Sequence, residues 1–359
     1  MRQLALAIAL LSLLAGCYTG PLVDPDADPD VALTISPALR QLPAQDLFAE
    51  AGAEFDVPAD LLAALAWHQS SFAPGEDDHD EHAPAHGWMG LSPEQVTQAV
   101  ALTGLSAEAL ERGREESVFG GAAILDALRT QLAPGASRTE ADASWWPVVV
   151  AFPGFDEEWL NHSFAADVYQ TLQVGMAVPT EGEDLVEIAS REIADLEDVR
   201  FVLPPGADSS DFAGGADYSG AARFTAAHSS NQSTRSGGTS AIRRVVIHTT
   251  EGSYAGAISW FRNPSANVSA HYVIRKSDGE VTQMVRDAGK AWHACSNNND
   301  TIGIEHEGAS ASASTWTPQM LDASARLTAY LVTRYNIPVD RNHIVGHGEI
   351  QPSGCSYRS

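Results

Sequence analysis

The feature that most constrains this chain is a change of hydrophobic period partway along it. Up to about Thr171 apolar residues recur at helical spacing. Leu47, Ala51 and Phe55 lie four apart, and Leu61, Leu62, Leu65 and Ala66 form a stripe after the start signal Val57-Pro58-Ala59-Asp60. A further amphipathic run covers residues 117–132. From Ile242 the period falls to two. Residues 244–248 form a short apolar run suited to a buried strand, and in residues 301–307 Ile302, Ile304 and His306 alternate with Gly303, Glu305 and Glu307. Residues 271–275 and 280–285 flank Lys276-Ser277-Asp278-Gly279, whose Asp-Gly pair predicts a hairpin. Thr317 and Pro318 open a helix with Met320, Leu327, Leu331 and Tyr335 on one face, stopped by Asn336 and Pro338. One core cannot serve both periods, and 359 residues suffice for two. The expected fold is therefore multidomain, with an all-α N-terminal domain over residues 37–175 and an α/β C-terminal domain over residues 241–359. In the latter a mixed sheet is covered by helices. Residues 176–240, first acidic and in part helical by pattern, then rich in Gly, Ser and Ala, read as a linker whose last part wraps the following domain as a lead-in.

The N-terminus bears on compartment. Arg2 precedes an apolar run over residues 4–15, then Gly16 and Cys17: a charged segment, a short hydrophobic segment and a small-residue cleavage site. The run is too short to span a bilayer. Leu14-Ala15-Gly16-Cys17 resembles a bacterial lipobox, which implies a signal peptide over residues 1–16 and a lipid-modified Cys17 tethering the chain to a membrane. Tyr18, rather than Asp, after that Cys resembles the outer-membrane sorting pattern of Gram-negative cells, so the expected location is the cell envelope, facing the periplasm or the cell surface. Residues 17–36 combine Pro, Asp and Ala as a solvated tether. The formal net charge of −26 argues against nucleic acid as a partner. Cys295 and Cys355 in an exported chain suit either a disulfide or a metal site.

His248 in VVIHTTEG and His347 in HIVGHGEI are each, taken alone, no more than strand-end histidines. Between them lie SAHYVIRKSDGEV, AWHA and TIGIEHEG, and the order and spacing of all five segments resemble the type-2 zinc-dependent N-acetylmuramoyl-L-alanine amidases. These share their fold with peptidoglycan recognition proteins and phage T7 lysozyme. The resemblance implies peptidoglycan as partner, Zn2+ as cofactor, and cleavage between N-acetylmuramic acid and L-alanine. It implies that His248 and His347 are zinc ligands and that Glu305 is the general base or electrostatic partner. It further implies that His271, Tyr272, Trp292 and His293 line the substrate cleft, with Asn299 close by. Amide hydrolysis suits such a set, since zinc acidifies water to a pKa of about 7 and a carboxylate can carry its proton to the leaving amine. Glu307 shares a strand face with Glu305 and competes for the role. The alternatives are a non-catalytic peptidoglycan-recognition lipoprotein, which this fold also supports, and a peptidase acting within the stem peptide.

The third ligand stays open. Cys355 follows His347 by eight positions, where T7 lysozyme places a zinc-binding Cys. Other members end this segment in Asp-Pro-Gly, with a cationic residue two positions before the Asp. The sequence stops at Arg358-Ser359, where the domains of this family usually continue, so a truncated domain is expected; were the next residues Asp-Pro-Gly, Arg358 would take the cationic position and that Asp the place of the third ligand. Cys355 would then be available to pair with Cys295.

The N-terminal region resembles the lysozyme-like fold of lytic transglycosylases in FDVPADLLAALAWHQSSF, HGWMGLSP, FGGAAIL and a segment led by Trp145. Those enzymes carry a catalytic Glu directly before the Ser of an E-S-x-F motif, a position that is Gln69 here, followed by Ser70, Ser71 and Phe72. An amide cannot act as the acid. His68 projects about 100° away on a helix and does not replace it. Glu76, Asp77, Asp78, Asp80 and Glu81 read as a solvated loop. The expectation is a catalytically degenerate, glycan-binding domain.

Overall fold

The computed structural model describes residues 33–72, 87–180, 184–196, 215–310 and 315–350. Cys17, the lipobox, the acidic stretch from Glu76 to Glu81, and Cys355 lie outside them. The described residues form two compact units, 33–196 and 215–350.

The first unit is mostly helical: α1 (Ala44–Glu54), α2 (Ala59–Ser70), α3 (Pro93–Thr103), α4 (Ala107–Arg112), α5 (Arg114–Leu132), α6 (Trp146–Ala151) and α7 (Glu158–Val174). The starts follow local chemistry. Pro58 stands at the N-cap position of α2 without a side-chain cap, and α3 opens with a capping box between Ser92 and Gln95 and with Pro93 at its first position. Leu61 to Trp67 of α2 are all buried, which makes it the central helix, and Ser71 ends it in the left-handed region at φ 53°.

A hairpin of β1 (Met176–Pro179) and β2 (Leu185–Ile188) packs on α1 and α2, which corrects the reading of residues 176–240 as a linker with a helical acidic part. Val186 and Ile188 point inward while Leu185 and Glu187 point out, the period of a strand. The other end of that stretch is also structured, being built into the second unit.

The second unit contains β3 (Arg223–Phe224), β4 (Gln232–Thr234), β5 (Arg244–Thr249), α8 (Tyr254–Arg262), β6 (Tyr272–Ile274), β7 (Val281–Gln283), β8 (Gly289–Ala291), β9 (Thr301–His306), α9 (Pro318–Tyr335), β10 (Ile344–Gly346) and α10 (His347–Ile350). Six strands form a mixed sheet in the order β10-β5-β9-β6-β7-β3. The first four are parallel, β7 runs antiparallel to β6, and β3 is parallel to β7. The β6–β7 hairpin turns at Gly279, whose φ of +76° suits glycine. A side chain there would also strike the Gln319 carbonyl. Met320, Ala323, Leu327 and Leu331 of α9 pack on Val245, Tyr272, Ile274, Ile302 and Ile304. Each large side chain so buried contributes about 1.5–3 kcal/mol. The opposite sheet face meets α8, whose Tyr254 hydroxyl is 2.5 Å from Thr282 Oγ1 on β7. Side chains at strand ends on that second face are the ones α9 does not cover.

Candidate functional site

Parallel register assembles the site. β10 and β9 flank β5, with Gly346 opposite Ile247 and Glu305 opposite His248. Val245 and Ile247 turn toward α9, so His248 turns to the other face, and Glu305 shares it because Ile302 and Ile304 take the α9 side. His347 directly follows β10 and so arrives beside His248, their ring centroids 4.4 Å apart. His248 Nδ1 lies 3.9 Å from Glu305 Oε1, and both side chains are 1% exposed. Two imidazoles and a carboxylate thus meet at the carboxyl ends of three neighbouring strands, the usual place for ligands in open α/β sheets.

Turns around this cluster are braced by carboxylates. Glu349 Oε2 accepts from Gly346 N–H at 2.6 Å and pairs with Arg341, fixing the turn that presents His347. Backbone hydrogen bonding holds the Glu349 carboxyl below its usual range. Glu251, in the left-handed region at φ 50°, accepts from Thr249 Oγ1 at 2.5 Å and from Ser310 N–H at 2.9 Å, joining the loops after β5 and β9. Glu307 accepts from Lys276 N–H at 2.7 Å and so braces the hairpin turn, which leaves Glu305 as the carboxylate beside His248.

Three of the residues expected to line a cleft, and Asn299 expected close by, are placed otherwise. His271 and Tyr272 are fully buried. Tyr272 lies on the α9 face and donates to Asp287 Oδ1 at 2.7 Å, because the strand alternation that turns His271 one way turns Tyr272 the other. His271 Nδ1 accepts from Gly303 N–H at 3.1 Å, and its Nε2 is 2.8 Å from Arg235 Nη2. Burial, with the neighbouring guanidinium, keeps its pKa well below the usual imidazole value. His293 is buried against the sheet, its Nδ1 3.0 Å from His248 Nε2, and burial pushes its pKa down to about 3. Asn299 exchanges hydrogen bonds with the Ser236 backbone and serves the lead-in. Trp292 is half-buried, and its indole N–H donates to Ser233 Oγ on β4.

Arg235 carries no signal in the sequence, sitting in a Gly/Ser-rich stretch that reads as linker. Its buried guanidinium donates to the carbonyls of Asp287 at 3.0 Å, Gly289 at 2.8 Å, Asn299 at 2.6 Å and Thr301 at 2.9 Å, tying the lead-in to β8 and to the start of β9. Burial lowers its pKa to about 10. Behind it, burial raises Asp287 to about 6 although the carboxyl accepts from Tyr272 and Tyr335.

Among the described residues no group of three His, Cys, Asp or Glu side chains is placed to hold a metal ion. The donor chemistry nonetheless fits two-thirds of a zinc site: paired imidazoles at van der Waals separation with a carboxylate next to them. A third donor would have to come from outside the described residues. Cys295 is disulfide-bonded.

Fold and site together define a class, a strand-end histidine and carboxylate site on a mixed α/β sheet. Residues 238–356 match the family model described as N-acetylmuramoyl-L-alanine amidase. N-acetylmuramoyl-L-alanine amidase A of Achromobacter lyticus is 58% identical over 118 residues, which are 33% of this chain and 65% of that protein. The 1,6-anhydro-N-acetylmuramyl-L-alanine amidase AmpD of Citrobacter freundii is 39% identical over 95 residues, 24% of this chain and 47% of that protein. The chain thus spans about half to two-thirds of the length of these relatives. Among solved structures, the amidase LysC from Clostridium intestinale URNW is similar at 24% identity and a TM-score of 0.25, over 32% of this chain and 78% of that one.

Proposed function

We propose that this chain is a zinc-dependent peptidoglycan hydrolase, an N-acetylmuramoyl-L-alanine amidase that cuts the amide between N-acetylmuramic acid and the L-alanine of the stem peptide. The observation that carries this reading is the meeting of His248, His347 and Glu305 within the segment that matches the amidase family. His248 and His347 would hold the zinc. Cys355 is the candidate both for the third ligand and for the partner of Cys295, and one thiol cannot serve as both. When bound, zinc supplies Lewis acidity, polarising the scissile carbonyl and acidifying water. Glu305 takes the proton of the attacking water and returns it to the L-alanine nitrogen as the C–N bond breaks, leaving a carboxylate on the sugar and a free amino terminus on the peptide. Burial of Glu305 keeps bulk water from competing for that proton.

The test is a digest of purified sacculi by the full-length, zinc-supplied protein, with 1,6-anhydro-muropeptides alongside because the Citrobacter relative is named for them. Free stem peptides with N-terminal alanine and uncut glycan are expected. Sedimentation with sacculi and no release would make the chain a recognition protein instead.

Two proposals complete the picture. Cys17 is lipid-modified and holds the protein in the cell envelope, so Cys17→Ser should move it from the membrane to the soluble fraction. The helical unit is a lysozyme-like, glycan-binding domain without glycosidase activity, since Gln69 stands where an acid is required. A Glu305→Gln variant should therefore still sediment with sacculi and cut no glycan.

A further inference from the structure

His293 is not where a substrate-lining residue would be, and its neighbours give it a different task. Its ring lies flat against β9 at Gly303, where a Cβ would come within 2.6 Å of His293 Cγ, so only glycine at that position admits the imidazole. The proton positions along this row follow from one hydroxyl. Thr301 Oγ1 donates its single proton to the Asn297 carbonyl at 2.8 Å. Toward His293 Nε2, 3.2 Å away, the hydroxyl can then only accept, which places the His293 proton on Nε2. A neutral imidazole with Nε2 protonated has its lone pair on Nδ1, and that atom is 3.0 Å from His248 Nε2. His248 must donate there, so its own lone pair sits on Nδ1, the atom 3.9 Å from Glu305 and on the ring that faces His347.

We infer that His293 is a positioning residue which, oriented by Thr301, fixes the tautomer of His248 so that Nδ1 is the nitrogen offered to the proposed zinc. The zinc half of this rests on the amidase reading; the tautomer half rests on the hydrogen bonds alone. Metal-binding histidines need their other ring nitrogen anchored in this way, and removing such a partner commonly weakens the metal by about 10–100-fold.

The experiment uses the full-length, metal-stripped protein labelled with 15N in its 12 histidines, the His248 signals being assigned by their loss in His248→Gln. Long-range 1H–15N correlation should show His248 and His293 both protonated on Nε2 and unprotonated on Nδ1. Thr301→Val removes the accepting hydroxyl at nearly constant volume, and Gly303→Ala pushes the His293 ring off the sheet. Both should convert His248 to a mixture of tautomers, and zinc affinity measured by chelator competition should fall, by about 10–100-fold for His293→Ala. A wild-type His248 carrying its proton on Nδ1 would overturn the inference. So would variants with folded circular dichroism spectra whose His248 tautomer and zinc affinity equal those of the wild type. Failure of the wild type to bind zinc would strike the amidase reading instead, and the spectrum of the metal-free protein decides the tautomer in either case.

Discussion

Two buried histidines show how differently the two units use the same chemistry. His68, near the end of α2, places Nε2 2.8 Å from Thr171 Oγ1 on α7, and its ring meets Phe164 edge-on. His248, near the end of β5, meets His347, His293 and Glu305. Both are buried and both sit at the end of an element. The difference lies in what the backbone delivers beside them. Packed helices present a few side chains to one another through their contact faces, whereas parallel strands in register bring one side chain each to the same level, about 4.8 Å apart. Burial and a polar partner therefore do not make a site; convergence of several chemical groups does.

The largest expected effect tests that contrast directly. Glu305→Gln should lower release of stem peptides from sacculi by about 10²–10⁴-fold, because it removes a proton carrier and little else. His68→Leu in the helical unit should leave that rate unchanged and cost about 1 kcal/mol of stability for the lost hydrogen bond. Loss of hydrolysis in His68→Leu, with the fold intact, would break the comparison.

Stability effects come next. Arg235→Ala strips the donors from at least four carbonyls, those of Asp287 and Thr301 buried and those of Gly289 and Asn299 half-buried, and leaves a void, so about 3–5 kcal/mol is expected, read as lost hydrogen-exchange protection across residues 232–306 with α2 and α7 unaffected. Glu307→Ala leaves one buried backbone N–H, that of Lys276, without its acceptor. About 1–3 kcal/mol should be lost, confined to the β6–β7 hairpin, while stem-peptide release stays near the wild-type rate. A loss of release as large as that of Glu305→Gln would return Glu307 to the role of base.

How much of this could be read in the sequence follows from what each signal depends on. The helix beginning at Thr317-Pro318, the turn at Asp278-Gly279 and the alternation through Glu305 depend on neighbours within a few residues, and all three are present in the fold. His248, His347 and Glu305 were nameable because their segments are distinctive as a set. Arg235 was hidden because its partners lie 52 to 66 residues away and are main-chain carbonyls, which leave no trace in residue type. His293 lies beside His248 and His271 beside His293, but whether a histidine faces substrate or another histidine depends on the strand face and on Gly303. The β1–β2 hairpin is hidden for a related reason: with only four residues per strand, Leu185-Val186-Glu187-Ile188 in an acidic stretch reads as helix or linker until packing on α1 and α2 selects the strand.

The smallest expected effect concerns acid and again separates the units. In the helical unit His162 is pushed down to about 4 by burial, while an unfolded histidine titrates near about 6.5. As pH falls from 6.5 toward 4 the unfolded chain takes up a proton that the folded one refuses, so stability is present above this window and is lost on descending through it. His162 is partly solvated, so the contribution is about 1 kcal/mol or less once screening is allowed for. In the α/β unit Asp287 has the opposite sign. Its carboxyl is raised to about 6, so between pH 6 and 4 the folded state binds the extra proton and gains stability, against losses from His306, which burial lowers to about 4. Urea unfolding at pH 7 and pH 5, with each unit followed by pulse-labelling mass spectrometry, should show α7 opening earlier at pH 5. That shift should shrink in His162→Gln, and Asp287→Asn should deepen the acid loss of the α/β unit. An unchanged α7 shift in His162→Gln would mean that the acid sensitivity of the helical unit comes from another group.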